Sequence, residues 1–408
     1  MQQILSIARS RRGTGTAAVV TVAALLLAGC GADRGSDGGD TTSTSGPAGS
    51  PALRVTPVAG GLEHPWDLGF LPDGQILVTE RAGRLVLLSG ATAPATVTPV
   101  AADFDDVLAR GEGGLMGLVV HPDFAQSRRF TTCQTHAGAG AADVRLITWQ
   151  LAPDGASATR RIDPLVGGLP VNPSGRHSGC RPTLAADGTL LVGTGDTARG
   201  TIAQDRTSLG GKTLRIDLAT GGPAAGNPFA DAENPAERLV WTYGHRNVQG
   251  VAVHPKTGEV YTAEHGPSTD DEVNRLRPGG NYGWDPAQGS TVEGYDESVP
   301  MTDLERFPDA VPAAWSSGSP VEAVAGAAFV TGPQWGALDG VLAVAALRGK
   351  KLIIMTLGQD GAVAAVGVPE QLDGEFGRLR AVRSGPDGAL YVTTSNGSDD
   401  QVLRIDPA

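Results

Sequence analysis

The stretch PWDLGFLPDGQILVTERAGRLVLL, at residues 65–88, decides the fold. A Pro-Asp-Gly sequence separates a short apolar run from a second run that is rich in Leu, Ile, Val and Thr. Glycine adopts the positive φ that a tight turn needs, and the flanking residues prefer a pleated, half-buried surface. The stretch therefore predicts a β-hairpin.

Related stretches recur along the chain, so the hairpin is one unit of a repeat. The others are LVVHPDF (118–124), PTLAADGTLLVGTGD (182–196), VAVHPKTGEVYTAEH (251–265), ALDGVLAVAALRGKKLIIM (337–355) and VRSGPDGALYVTTSN (382–396). Six units suit six four-stranded blades of about 40–50 residues each, with insertions. The sequence predicts an all-β fold, a six-bladed β-propeller. We expect the last strand, QVLRIDP at 401–407, to pair beside the strands of the first blade and close the ring.

The composition agrees with this fold and excludes one class of partner. The 408 residues include 58 Gly and 28 Pro, which disfavours long helices. The formal net charge of −12 is spread without a basic stripe, so nucleic acid is a poor candidate partner.

The N-terminus has the order of a bacterial secretion signal. Arginines precede the apolar run 17–27, and LAGC, which ends at Cys30, is similar to a lipoprotein processing box. The run is shorter than the ~20 residues of a membrane-spanning helix. We expect a signal peptide at 1–29 and a lipid on Cys30 that anchors the mature chain to the cell membrane, outside the cytoplasm. An ordinary signal peptide that contains a cysteine is the alternative, and the pair Arg11 and Arg12 also permits twin-arginine export.

The rest of the chain divides into a tether and a body. Residues 30–53 carry almost no large apolar side chain, so they form a flexible tether. Residues 54–408 form the propeller. Within it, Cys133 and Cys180 suit a disulfide in an oxidising compartment, with two free thiols as the alternative.

A histidine and an aspartate are candidates for acid–base chemistry. In SGRHSGCRPTLAADGTLLVGTGD, His177 comes just before one strand and Asp196 closes the paired strand, so the two can meet across a hairpin. An imidazole with a reference pKa near 6.5, oriented by a carboxylate, suits removal of a proton from an alcohol at neutral pH. Taken alone, a histidine in a turn is more often a surface or capping residue.

Arginines recur in two further motifs. WTYGHRNVQG puts Arg246 and Asn247 in a turn between strands, where a surface salt bridge is the alternative to anion binding. GRLRAVRSGPDG puts Arg378 and Arg380 two apart at a strand start, on one face by alternation, and Arg348 could join them. Several arginines in one channel imply a ligand with several carboxylates. They could instead be buried partners of Asp and Glu.

The segment EHGPSTDDEVNRLRPGGNYGWD, at 264–285, is rich in oxygen donors and glycine. Its candidates are Glu264, Asp270, Asp271, Glu272, Asn274 and Tyr282. Such loops suit Ca²⁺, which takes about 6–8 oxygen ligands from carboxylates, backbone carbonyls and waters. The spacing is not that of an EF-hand, and a solvated acidic loop is the alternative.

Taken together in this order, the motifs resemble the glucose/sorbosone dehydrogenase family, from about Leu62 to the C-terminus. Its members include soluble glucose dehydrogenases and aldose sugar dehydrogenases that use pyrroloquinoline quinone (PQQ). The resemblance implies a six-bladed propeller with PQQ flat in the channel mouth. It also implies that arginines hold the three PQQ carboxylates and that the o-quinone lies on Ca²⁺.

The resemblance also implies roles in catalysis and cofactor binding. His177 corresponds to the general base, Asp196 to the carboxylate that orients it, and Arg246 to the arginine beside the reactive quinone carbonyl. Three further residues correspond to cofactor contacts: Asn247, Arg378 and Arg380.

Metal ligands follow from the same resemblance. The backbone carbonyls of Gly266 and Pro267 correspond to ligands of the Ca²⁺ that holds the cofactor. Glu272 and the backbone oxygen of Tyr282 correspond to ligands of a second, structural Ca²⁺.

Four positions depart from the family pattern. Glu112 stands where a glutamine usually contacts the active site, and Arg348 where a lysine usually contacts PQQ. We assign both to cofactor binding. EAVAG at 322–326 replaces an Ala-Pro-Ser-Gly-like loop, and Cys180 replaces a glycine. A bridge from Cys180 to Cys133 would brace the loop that carries the candidate base.

The expected function is PQQ-dependent, Ca²⁺-assisted oxidation of the anomeric hydroxyl of an aldose to a lactone. Hydride passes to the quinone and electrons leave to an external acceptor. One alternative is a non-catalytic propeller of the same family that binds carbohydrate or protein, which Glu112 and the altered loop favour. Another is a lactonase-like hydrolase that uses Ca²⁺ alone, although such a site needs no arginine cluster.

Overall fold

A computed structural model of the protein describes residues 50–138, 141–291 and 294–408. The signal peptide expected at 1–29, the lipid site Cys30 and most of the tether lie outside these residues, so those assignments stay predictions. In the part of the chain that is described, no helix is both long and apolar enough to cross a membrane.

Strands dominate the described residues and form six four-stranded antiparallel sheets, the blades. The chain enters with β1 (Leu53–Leu62), which belongs to the last blade. Blade 1 contains β2 (Pro65–Phe70), β3 (Ile76–Glu80), β4 (Arg84–Leu88) and β5 (Val97–Val100). Blade 2 contains β6 (Leu115–Val120), β7 (Arg129–Gly138), β8 (Ala141–Leu151) and β9 (Ala158–Leu169). Blade 3 contains β10 (Arg181–Leu184), β11 (Leu190–Gly193), β12 (Lys212–Ile216) and β13 (Val240–Tyr243).

The remaining blades follow the same order from the inside of the ring outward. Blade 4 contains β14 (Val248–Val253), β15 (Val260–Glu264), β16 (Glu272–Arg275) and β17 (Trp315–Ser316). Blade 5 contains β18 (Val324–Phe329), β19 (Leu342–Ala346), β20 (Lys351–Leu357) and β21 (Val363–Gly367). Blade 6 contains β22 (Leu379–Ser384), β23 (Leu390–Thr394), β24 (Asp400–Pro407) and β1. The helical elements are short: α1 (Phe124–Ser127) and 3₁₀ turns at Glu237–Leu239, Pro333–Leu338 and Glu370–Leu372. The prediction of an all-β, six-bladed propeller is confirmed.

The Pro-Asp-Gly stretch forms the predicted hairpin, in which β2 pairs antiparallel with β3. Gly74 in the turn has a φ of 88°, which side chains with a Cβ rarely adopt. Asp73 Oδ1 accepts the backbone N–H of Gln75 at 3.0 Å. Asp187 and Asp387 make the same contact in later repeats, so the aspartate fixes the turn each time.

The first strand of each blade lines the central channel. β2, β6, β10, β14, β18 and β22 contact one another in turn around the ring. Residues near their C-terminal ends line one end of the channel, among them Phe70, Val120, Leu184, Val253, Phe329 and Ser384. The loops that precede these inner strands therefore meet at the opposite end, which we call the channel mouth.

Pairing of the two ends of the propeller closes the ring. β24 pairs antiparallel with β1, with Pro407 opposite Leu53 and Asp400 opposite Leu62. The backbone N–H of Ala408 also donates to the carbonyl of Ala52 at 2.7 Å. We expected QVLRIDP to join the first blade. Instead the first strand joins the last blade, because β24 already pairs with β23 and leaves only its outer edge open.

Apolar side chains of adjacent blades pack against each other. Leu77 and Leu85 of blade 1 pack with Leu118, Phe130 and Trp149 of blade 2, and all five are buried. Burial of one such side chain contributes roughly 1.5–3 kcal/mol. The packed ring holds the loops of the channel mouth at fixed positions.

Cys133 and Cys180 are joined by a disulfide, as the sequence allowed. Cys133 lies on β7 and Cys180 directly precedes β10, with their Cα atoms 6.2 Å apart and both side chains fully buried. They pack in an apolar cluster with Leu146 and Val192 from blades 2 and 3. The bond therefore ties blade 2 to the loop that carries His177.

Candidate functional site

The predicted motifs come together at the channel mouth because each comes just before an inner strand. Glu112 precedes β6, His177 precedes β10, Arg246 and Asn247 precede β14, and Arg378 precedes β22. Residues that are far apart in sequence thus occupy equivalent places in different blades. The site is assembled by the repeat itself.

His177 and Asp196 form a buried pair, as predicted. Nδ1 of His177 lies 2.7 Å from Oδ1 of Asp196, and the residues are 4% and 0% exposed. An ionised carboxylate only accepts hydrogen bonds, so Nδ1 donates and Nε2 keeps its lone pair. Gly195 permits this approach, because a Cβ there would overlap the carbonyl of His177. Nε2 can therefore take a proton from a ligand.

Further donors hold the Asp196 carboxylate in place. Its Oδ2 accepts the Trp284 indole N–H at 2.8 Å and the Tyr295 hydroxyl at 2.6 Å, and its Oδ1 also accepts the backbone N–H of Ala198 at 2.8 Å. Burial, with the Asp196 charge next, raises the pKa of Tyr295, so its phenol stays protonated and donates. The sequence interpretation missed Trp284 and Tyr295. Trp284 lay within a quoted motif, whereas Tyr295 lies in an irregular segment that carries no repeat signal.

Arg246 lies beside this pair in the turn between β13 and β14. Its carbonyl accepts the backbone N–H of Asp196 at 2.8 Å, and its own N–H donates to Glu264 at 2.8 Å. The guanidinium donates through Nη1 to the carbonyl of His265 at 2.9 Å and through Nη2 to Glu297 at 2.5 Å. Its buried Nε has no partner among the described residues. One fixed cationic donor therefore remains for a ligand.

Glu297 is a third residue that the sequence interpretation missed. Its carboxylate bridges Arg246 and Arg176, with the Arg176 contact at 2.9 Å. Burial raises the pKa of Glu297, but the hydrogen bond and charge of Arg246 and the charge of Arg176 outweigh burial, so this pKa is lowered. Glu297 stays ionised at neutral pH and holds Arg246 in its orientation.

Glu112 lies at the centre of the channel mouth. Its Oε1 accepts the backbone N–H of His177 at 3.2 Å, and its Oε2 accepts the side-chain amides of Asn247 at 2.7 Å and Gln249 at 2.8 Å. Burial raises the pKa of Glu112, but the charges of His265 and His177 and the hydrogen bonds outweigh burial, so this pKa is lowered. The position therefore holds a carboxylate ion.

Arg380 is a buried cation with no carboxylate within ion-pair distance among the described residues, although the charge of Glu112 acts on it. It is 4% exposed and donates through Nη1 to Gln249 at 3.0 Å, but it forms no ion pair with any carboxylate in the described ranges. Burial, with the charge of Arg181 next, lowers its pKa to about 9. A buried cation is costly unless it is paired. The place beside Arg380 therefore suits an anion.

The two remaining arginines, Arg378 and Arg348, are exposed. Arg378 lies just before β22 rather than in it and is exposed, whereas Arg380 is buried, so strand alternation does not describe the pair. The charge of Arg378 still acts on Arg380. Arg348 is exposed in the turn after β19, and its predicted contact with the cofactor stays a prediction. The altered loop at 322–326 packs on this turn, since the carbonyl of Glu322 accepts the backbone N–H of Arg348 at 2.9 Å.

The acidic segment brings two carboxylates to one amide. Nδ2 of Asn274 donates to Glu264 at 2.7 Å and to Glu272 at 3.2 Å, and its buried Oδ1 has no partner among the described residues. Burial, with the Glu264 charge next, raises the pKa of Glu272 to about 8. An unpaired buried oxygen beside two carboxylates fits a cation.

The other predicted metal ligands offer backbone oxygens. The carbonyls of Gly266, Pro267 and Tyr282 accept no hydrogen bond from the described residues. The Tyr282 hydroxyl is already engaged, since it donates to the carbonyl of Arg275 at 2.8 Å. In the described residues, no cluster of three or more His, Cys, Asp or Glu side chains could hold a metal by itself. Any Ca²⁺ here would depend on carbonyl and amide oxygens.

The channel mouth of this six-bladed propeller holds a buried His–Asp pair beside an unpaired guanidinium donor. This site defines a class of protein, the propellers that bind an anionic ligand next to a base. Comparison with known proteins identifies the family within this class. The sequence model of the Glucose / Sorbosone dehydrogenase family matches residues 62–404. The chain belongs to this family, as its motifs indicated.

Individual relatives agree with this assignment. Aldose sugar dehydrogenase YliI of Escherichia coli is 33% identical over 354 residues, which cover 85% of this chain and 91% of that protein. The PQQ-bound form of aldose sugar dehydrogenase from Streptomyces coelicolor is 30% identical, with a TM-score of 0.71 over 89% of this chain and 99% of that one. A structure from Thermus thermophilus, described as a glucose dehydrogenase, is 39% identical, with a TM-score of 0.71 over 87% and 100%. Together they support an oxidoreductase of the sugar dehydrogenase type, in a family whose members bind PQQ.

Proposed function

We propose that the protein oxidises the anomeric hydroxyl of an aldose to a lactone with PQQ, and that the electrons leave to an external acceptor. The observation that carries this proposal is the His177–Asp196 pair beside the unpaired Nε of Arg246 and the buried Arg380, which forms no ion pair among the described residues. The PQQ-bound structure of the Streptomyces coelicolor relative adds support for the cofactor.

The residues present fit a cofactor with three carboxylates. Arg380 is buried without a carboxylate, Arg378 is near it at the surface, and Arg246 keeps a free Nε. When bound, PQQ supplies an o-quinone that accepts the hydride from the sugar. A divalent cation fits too: the carbonyls of Gly266 and Pro267 would hold one Ca²⁺ at the cofactor. Glu272, the Asn274 amide oxygen and the Tyr282 carbonyl would hold a second.

The side chains of the protein would move the proton and stabilise charge. Nε2 of His177 would take the proton of the anomeric hydroxyl as the hydride leaves the adjacent carbon. Asp196 would stabilise the imidazolium that forms and keep the ring in the required tautomer. The Arg246 guanidinium, held by Glu297, would stabilise negative charge that develops on an oxygen beside it. Arg246 is fixed before the reaction, so little reorganisation is needed.

The test is reconstitution of the chain that lacks the predicted signal peptide. PQQ and Ca²⁺ are added, and reduction of an artificial electron acceptor is followed with several aldoses. We expect turnover and a shift in the quinone absorption spectrum. Absence of both would sink the proposal, while a spectral shift without turnover of any aldose would favour a binding protein.

A variant of the base sharpens this experiment. His177→Ala should keep the spectral shift on PQQ binding and lose most of the turnover, because Nε2 is removed and the arginines remain. Glu370→Gln is the control, because Glu370 is an exposed residue in the 3₁₀ turn after blade 5. Unchanged turnover in His177→Ala would rule out His177 as the base.

We also propose that a lipid on Cys30 anchors the protein outside the cytoplasm. Support comes from the LAGC motif after the apolar run 17–27, and from the Cys133–Cys180 bond, which suits an oxidising compartment. Cys30→Ala should move the protein from the membrane fraction to the soluble fraction. Retention of this variant on the membrane would contradict the anchor.

A further inference from the structure

We propose that Glu112 is a positioning residue for His177, and that this position needs a carboxylate rather than an amide to fix the loop of the base. The proposal concerns the position of His177; its kinetic consequence rests on the proposed dehydrogenase function. Glu112 was expected to contact the cofactor. Its hydrogen bonds indicate a different role.

The two oxygens of Glu112 join elements from different blades. Oε1 accepts the backbone N–H of His177 at 3.2 Å, in the loop before β10. Oε2 accepts the amides of Asn247 and Gln249, which lie at the start of β14. One side chain from blade 2 thus connects the loop of the base to blade 4.

An amide at position 112 would not fit these donors. Oδ1 of Asn247 accepts the backbone N–H of Gly179 at 3.1 Å, so this amide cannot turn over without losing that bond. Oε1 of Gln249 accepts a hydrogen bond from Arg380 at 3.0 Å, which fixes the second amide in the same way. Both amides must therefore donate toward position 112. A glutamine there could accept from both amides through its single oxygen, but its NH₂ would then face the backbone N–H of His177. In the other orientation its NH₂ would face the two amides, so only a carboxylate accepts from all three donors.

The base needs such support because its backbone is strained. His177 has a φ of 50°, in the left-handed region that residues other than glycine rarely adopt. Such a conformation persists only where its surroundings hold it. The bond to Glu112 holds the N–H of His177 itself. The disulfide at Cys180 and the bond from Gly179 to Asn247 hold the next part of the loop.

The charged groups around the pair set the expected pH response. His265, His177 and Arg380 act on Glu112, while Asp196 contacts the His177 ring and Tyr295 contacts Asp196. A carboxylate at position 112 favours the protonated form of a neighbouring imidazole, and a neutral amide does not. Replacement by glutamine should therefore move the acidic limb of the rate profile to lower pH.

The first measurement needs no activity. Hydrogen exchange followed by mass spectrometry reports the peptide around residues 173–179 in the native protein, Glu112→Gln and Glu112→Ala. Loss of a hydrogen bond to a charged group should speed exchange in this peptide roughly tenfold or more. Peptides from blade 5 should not change, and Glu370→Gln should match the native protein. Unchanged exchange in both Glu112 variants would overturn the proposal, whether or not the protein proves to be a dehydrogenase.

A compensating change tests the requirement for a carboxylate. In the double variant Glu112→Gln/Gln249→Glu, the new NH₂ at position 112 faces the new carboxylate at position 249. This carboxylate also accepts from Arg380, as Gln249 does in the native protein. Exchange around 173–179 should return most of the way to the native rate. A native exchange rate in Glu112→Gln, with fast exchange in Glu112→Ala alone, would refute the carboxylate requirement. Failure of the rescue would refute the mismatch of donors as its cause.

Kinetics then separate positioning from cofactor contact. In Glu112→Gln, kcat should fall about tenfold and the acidic limb should move to lower pH, while the PQQ concentration for half-maximal spectral change stays within about threefold of the native value. Lost PQQ binding with unchanged exchange would make Glu112 a cofactor contact instead. If the native protein binds PQQ but does not turn over, the proposed function fails, and the exchange data still decide the role of Glu112.

Discussion

Replacement of Asp196 by asparagine tests the catalytic pair most directly. The carboxylate lies 2.7 Å from Nδ1 of His177 and is completely buried. With charge centres about 4 Å apart and an effective dielectric constant of about 20, the attraction between carboxylate and imidazolium is about 4 kcal/mol. Asparagine lacks this charge. If His177 becomes cationic as it takes the proton, kcat should fall about a thousandfold.

The same replacement disturbs the hydrogen bonds of the pair. Asp196 accepts from His177, Ala198, Trp284 and Tyr295, and an asparagine NH₂ must face some of these donors. The indole N–H and the backbone N–H cannot accept, so either orientation leaves one of them unpaired, at about 1–3 kcal/mol. An orientation that turns the NH₂ toward His177 would also force the wrong ring tautomer.

The assay is steady-state turnover with saturating PQQ, Ca²⁺ and aldose, with the quinone spectrum as a check on cofactor binding. Asp187→Asn is the matched control, because Asp187 is exposed at the other end of the β10–β11 hairpin. Its kcat should equal the native value. A kcat for Asp196→Asn within tenfold of native, with PQQ bound, would refute the role assigned to the carboxylate.

Three further predictions concern stability, measured as the free energy of unfolding in denaturant. Asp67→Asn should cost about 3–5 kcal/mol at pH 7, because Arg181 and Arg383 lose their buried partner. The pKa of Asp67 is lowered in the fold, because these two arginines outweigh burial. Its contribution to the free energy of unfolding is therefore fully present above the unfolded pKa near 3.9, and it is lost as the pH falls from there through the folded pKa. An unchanged penalty at pH 3 would contradict this. Lys212→Met should cost about 3 kcal/mol or more, because the Lys212 ammonium donates to three buried carbonyls. An unchanged free energy of unfolding would mean that these carbonyls find other donors. Cys180→Ala should cost about 4 kcal/mol, since the bond spans 47 residues, and a loss below 1 kcal/mol would exclude a constraint on the unfolded chain.

The fold could be read from the sequence because each repeat contains its own turn. Asp73, Asp187 and Asp387 make the same contact with the backbone two residues later, so a local signal recurs wherever a hairpin forms. The closing blade was harder to predict. Its partner strands, β1 and β24, come from opposite ends of the chain, and no local pattern sets which blade they join.

The site was predictable where function follows position in the repeat. His177, Arg246 and Glu112 each precede an inner strand, so the order of the blades brings them together. Tyr295 and Glu297 were missed because they belong to a segment outside the repeat. The cofactor contact assigned to Arg348 stays a prediction, since its exposed side chain extends from a turn.

Buried ion pairs inside the channel also escaped prediction. Asp67 on β2 pairs with Arg181 on β10 at 2.8 Å and with Arg383 on β22 at 2.6 Å. Each of these side chains lies on the inner strand of a different blade. Three blades must close before the charges meet, so the pairing depends on the complete ring.

The pairing of β1 with β24 has a practical consequence for attachment. β22 runs away from the channel mouth, and β24 runs parallel to it, so Pro407 and its partner Leu53 both lie at the face opposite the mouth. A linker, an affinity tag or a redox domain fused beyond Ala408 would leave from that face. The protein could then be immobilised on a solid support by its C-terminal side with the channel still open to solution.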